Sequence, residues 1–141
     1  MQRRFALAGL LRLRHTEQDR AAAVLADANL RVRQAADARM AAHRTLQDSP
    51  STVEDAATLS AVAAARAATR GMLEELDAVA RTRRADADRA QETYNAARRS
   101  ALGLEKLEEQ HGVRVAAEDL RTEQTALDEI AARRRTEGGT R

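Results

Sequence analysis

Asp48-Ser49-Pro50-Ser51-Thr52 is the stretch that decides how this chain folds. It holds the only proline among 141 residues, and proline pushes the residue before it out of the helical region. Ser51 and Glu54 have the spacing of a capping box. Glu54 and Asp55 then favour the positive end of a helix dipole. The pattern predicts a helix over about 4–47, a turn over 48–52 and a helix over about 52–135, followed by a disordered tail, 136–141. Arg133, Arg134 and Arg135 suit a last helical turn, and Gly138-Gly139 suits its end. The other glycines, Gly9, Gly71, Gly103 and Gly112, are isolated. A break at Gly71 is the competing arrangement, but one glycine costs only about 1 kcal/mol in a helix, so continuity is expected.

Both flanks of the turn carry heptad seams. Steps of four and three from Leu7 pass through Leu11, Arg14, Gln18, Ala21, Leu25, Ala28, Val32, Ala35, Arg39, Ala42 and Leu46. Nine of these twelve positions are apolar, a persistence that marks a coiled-coil face. The second seam runs through Leu59, Val62, Arg66, Thr69, Leu73, Leu76, Ala80, Arg83, Ala87, Ala90, Tyr94, Ala97, Ala101 and Leu104. It then changes phase near Leu107 to Val113, Ala116, Leu120, Leu127 and Ile130, and such a shift alters supercoil winding. A short turn makes the helices antiparallel neighbours. With Gln47 opposite Thr52, Phe5 would face Tyr94, and the second helix would be unpartnered beyond it. The fold class read from this is all-α: an antiparallel two-helix coiled-coil hairpin with a longer, overhanging second helix, forming a single domain over 1–141. The overhang keeps Leu102, Leu104, Leu107, Val113, Val115, Leu120, Leu127 and Ile130, which is the content of a binding surface that orders on its partner.

Composition agrees. Thirty-three alanines and 23 arginines favour helix. Leu, Ile, Val and Phe number only 24, too few for an ordinary globular core. There is no cysteine, so disulfide and thiolate chemistry are excluded. No stretch reaches the ~18–20 apolar residues of a membrane span. Arg12 and Arg14 interrupt the first leucines, so no secretory signal is expected.

Charge is segregated although the net is only +2. Residues 1–48 carry nine basic and five acidic side chains, whereas residues 101–129 carry three and eight. Asp27–Arg31, Asp77–Arg81 and Glu129–Arg133 have the favourable four-residue spacing. Nucleic-acid binding requires a denser basic stripe, with aromatics for single strands, and is not expected. Catalytic chemistry has no footing. His15, His43 and His111 never share the four-residue spacing of a metal pair, and read as seam or solvent-facing side chains. Glu105, Glu108 and Glu109 cluster without a pocket to shift their titration. The chain reads as a non-enzyme with no catalytic, cofactor-binding or metal-binding residue.

Three segments carry a resemblance. Phe5-Ala-Leu7-Ala-Gly-Leu10-Leu11-Arg12-Leu13-Arg14, continued by Gln18, resembles the opening of the FliJ family of flagellar protein-export components. Leu104-Glu105-Lys106-Leu107-Glu108-Glu109, which holds the only lysine, resembles that family's C-terminal signature. Leu127-Asp128-Glu129-Ile130-Ala131 resembles its last recurrent block, and about 48–89 has no counterpart. The resemblance implies a cytoplasmic, non-enzymatic coiled coil of the type III export apparatus, peripheral to its membrane-embedded part. Such a protein sits as a central stalk in the export ATPase hexamer, links it to the cytoplasmic domain of the export gate, handles export chaperones and is monomeric in isolation. On this reading Phe5, Leu7, Leu11, Arg14, Leu104, Glu105, Lys106, Leu107 and Glu108 bind the ATPase. The leucines also serve as coiled-coil seam. The alternatives are an adaptor coiled coil that self-associates or joins a helical bundle, or the equivalent stalk of an injectisome.

Overall fold

The computed structural model describes residues 4–139. Two helices, α1 (Ala8–Gln47) and α2 (Ala56–Gly138), hold nearly all of them, with no strand among the described residues. They pack against each other as an all-α antiparallel pair in which α2 is the longer. Gly71 does not interrupt α2. The chain divides into two compact units. Glu17–Ala97 forms a loop unit; Met1–Thr16 with Arg98–Arg141 forms a terminal unit.

In the loop unit the seams pack as their spacing requires. Ala21, Ala28, Ala35 and Ala42 recur at seven-residue intervals in α1, and all are buried. Ala28 meets Ala87 and Ala90 of α2, with Leu25 and Val32 packed alongside. Alanine at these positions removes side-chain bulk and lets two helices come to the short end of the ~8–10 Å interaxial range. Over both helices, ten of the twelve α1 seam residues and thirteen of the fourteen in α2 are at least half-buried. Arg39, one of the exceptions, turns outward to reach Asp77 Oδ1 across the helices, donating from Nε at 2.6 Å. Asp77, expected to pair along its own helix with Arg81, thus has a partner across the helices in α1. Asp27 and Arg31 do pair within α1, at 2.9 Å.

The turn differs from the sequence reading. The non-helical segment spans residues 48–55, and the Ser51–Glu54 capping box does not start α2. Asp55 does. Its Oδ1 accepts the Thr58 N–H at 2.6 Å, capping the helix that begins at Ala56. Asp is as good an N-cap as Ser, and the later cap gives the chain a longer, extended return. The register moves further than the cap does. Arg39 lies opposite Asp77, whereas a Gln47–Thr52 turn would have placed it near Ser60. The first turns of α2 run past the end of α1, which is why Leu59, the one failed α2 seam position, is 58% exposed.

In the terminal unit α1 starts at Ala8 rather than Arg4. Phe5 and Leu7 sit in the preceding turn, where the Ala8 and Leu11 N–H groups donate to their carbonyls. Phe5 packs on the ring of His111, centroids 5.7 Å apart, and not on Tyr94. The expected overhang therefore begins near residue 116, not 95. Ala101, fully buried at 0% exposure, and Leu11 are the core of this unit. At its far end α2 stays helical to Gly138, so residues 136–138 of the expected disordered tail are helix, and residues 140–141 lie outside the described residues.

Three outcomes follow for stability. A Cβ added at Gly71 meets nothing within 4 Å, so Gly71→Ala should stabilise the fold by about 0.5–1 kcal/mol, read as a raised urea midpoint at unchanged slope. Ala28→Leu should destabilise by about 1–3 kcal/mol in the same assay, because the close seam has no room for it. Hydrogen bonds from Thr58, the backbone N–H first, hold the Asp55 carboxyl below the usual carboxylate range. Its contribution is thus complete above the unfolded-state value and is lost as pH falls through the lowered folded-state value. Asp55→Ala, or acidification through that value, should speed amide exchange at 57–59 and leave the Ala28 layer protected.

Candidate partner-binding site

Every residue expected from the sequence to bind a partner falls in the terminal unit, on or just before the first turns of α1 or on α2 beyond residue 98. The structure sorts them by face. Leu11 is buried against α2. Phe5, Arg14 and Leu104 are half-buried in the same seam. Glu105 lies beside it, where its Oε1 accepts the His15 Nε2–H at 2.6 Å. These five hold α1 to α2. Leu7, Lys106, Leu107 and Glu108 are exposed. The segment 104–109 therefore splits: Leu104 is packed, Lys106 lies on the side of α2 opposite that contact, and Leu107 and Glu108 are exposed close to it.

Heptad geometry explains the split. The α2 seam covered by α1 continues in its original phase from Ala101 and Leu104 through His111 and Val115, both half-buried. The phase change near Leu107 is absent from this packing. Past Val115 the same seam positions become Glu118, Thr122, Thr125 and Glu129, so the α1-facing stripe ends where α1 ends. Val113, Ala116, Leu120, Leu127 and Ile130 form a different stripe, offset by two heptad positions. Two residues at 100° each put it about 160° around the helix from the α1 face. Val113, Leu120, Leu127 and Ile130 are 48–66% exposed.

The sequence placed apolar residues in an overhang, but exposed leucines of this unit lie outside the expected site. Leu10 and Leu13 are exposed on α1; the signal was available, since a Leu-Leu-x-Leu run supplies more leucines than one seam position can use. Leu102 and Leu120 are likewise exposed on α2. Among the described residues, nine of the fifteen exposed large hydrophobics belong to the terminal unit, although it is the smaller of the two. Lys106, Glu109, Gln110, Val113 and Arg114 also line a shallow groove on the outer side of α2.

His15, His43 and His111 lie on separate turns, and no group of three His, Asp or Glu side chains among the described residues is placed to hold a metal ion. No helix among the described residues is long and apolar enough to cross a membrane. Comparison with curated proteins and with solved structures gives no match. A family model described as flagellar FliJ protein matches residues 2–139. The match takes in both helices, the loop between them and all three segments quoted above, so the chain belongs to the FliJ family and is a component of the flagellar export apparatus.

Proposed function

We propose that the terminal unit binds the export ATPase ring, with the chain acting there as a non-enzymatic central stalk on the cytoplasmic side of the export apparatus. The observation that carries this reading is the crowding of exposed leucines, valine and isoleucine onto this one unit. Contiguous apolar exposure of this kind marks an interaction surface. The unit narrows from two helices to one past Val115, and a single helix is only ~10–12 Å across with its side chains. That cross-section suits entry into a ring pore. Binding some ring states better than others would change turnover without any catalytic group on this chain.

Family membership further supports contacts to the cytoplasmic domain of the export gate and to export chaperones. We assign the gate contact to the loop unit and its 48–55 return, the end remote in sequence from the ATPase-binding residues. The equivalent stalk role in an injectisome shares this physical reading; the flagellar family match favours the flagellar apparatus.

The test uses the whole chain and its cognate ATPase. Lys106→Ala with Leu107→Ala should reduce ATPase stimulation about tenfold or more, the loss expected for central contacts, at unchanged helix content by circular dichroism. Leu59→Ala with Met72→Ala, exposed in the loop unit, should leave stimulation intact. Undiminished stimulation by the first pair would overturn the assignment.

A further inference from the structure

The outward stripe of α2 is complementary to itself. We propose that it pairs two copies of this chain as an antiparallel coiled coil, a reversible dimer with two-fold symmetry. The stripe uses alternate heptad positions Lys106, Glu109, Val113, Ala116, Leu120, Glu123, Leu127, Ile130, Arg134 and Glu137, all exposed in the chain alone. Antiparallel pairing about a dyad between Arg121 and Thr122 sets Val113 opposite Ile130 of the second copy and Ala116 opposite its Leu127. The same register sets Glu109 opposite Arg134 and Lys106 opposite Glu137. Each layer occurs twice by symmetry, which is the self-complementarity a two-fold interface demands.

Apolar layers inside and opposite-charge layers outside therefore fall out of a single register. Charge order is what fixes the direction: a parallel pair would stack Glu109 on Glu109 and Arg134 on Arg134, and like charges at such layers are repulsive. Ala117, Ala126, Ala131 and Gly112 beside the stripe permit close approach. Within the terminal unit α1 occupies the opposite side of α2, so it does not block a second copy. The central layers put Leu120 against Glu123, and the stripe has few large side chains, so the pair forms with concentration and does not persist on dilution. Any partner that takes this stripe must displace the second copy. The stripe shares Lys106 with the ATPase assignment, but the deciding residues, Glu109 and Arg134, are outside that set, so the two readings fail separately.

Sedimentation equilibrium of the full chain over about 1–500 µM should show a monomer–dimer equilibrium. Arg134→Glu alone should weaken association about 100-fold, because it creates two like-charge layers. Glu109→Arg should do the same, and the double variant should restore dimerisation. A wild-type chain monomeric throughout, single variants with no effect, or a double variant that stays monomeric would each overturn the proposal. The chain has no cysteine, so direction can be read separately. A mixture of Val113→Cys and Ile130→Cys chains should oxidise to the mixed disulfide dimer. Val113→Cys linking mainly to itself would show parallel pairing and refute the register.

Discussion

Close approach of two alanine-lined helix faces is the constraint on which the rest depends. Among the described residues, seven of the nine buried hydrophobics are alanines. An alanine buries little area, so each layer contributes far less than the ~1.5–3 kcal/mol of a fully buried leucine or valine. Stability has to come from many layers in register and from strong helix propensity. Ion pairs such as Arg39–Asp77 lie at the edge of this seam and are half-exposed; pairs of that kind are worth about 0–1 kcal/mol, enough to favour one register among shifted ones without supplying the fold's stability.

A fold with almost no interior has no means of hiding leucines. Bulky apolar side chains beyond the seam's needs must be exposed, and where the chain places them is therefore informative. In the loop unit they are scattered: Val24, Leu30, Met40, Leu59, Met72 and Val79. On α2 past residue 101 they are ordered into a stripe with its own heptad phase. The helix thereby has two seams on opposite sides, one satisfied by α1 and one left for another surface. The family-like segment 104–109 sits where both are present: Leu104 packs in the first and Lys106 lies on the second.

The two-helix architecture was legible because its signal is periodic and redundant: twenty-three of twenty-six seam positions came out at least half-buried. Register was not legible, since nothing near Pro50 shows that the first turns of α2 run past the end of α1 before the two helices pair. The original seam phase, followed past Leu107, held the missing information. Its apolar run ends after Val115, because Glu118, Thr122, Thr125 and Glu129 cannot continue an apolar seam. Read as the end of intramolecular cover, it places the start of α1 near Val115 and rules out the Phe5–Tyr94 pairing. The residues expected to bind a partner fall in one unit, but which of them are packed and which exposed depends on that register.

The central claim is that recognition belongs to the terminal unit, on the side of α2 away from α1. Amide hydrogen exchange on the full chain, dilute enough to be monomeric, with and without the cognate export ATPase, tests it most directly. The account requires ATPase-dependent protection across 104–130, with the Ala21–Ala42 seam and its partners on α2 unchanged. Protection confined to 56–97, with 104–130 exchanging as in the free chain, would contradict it.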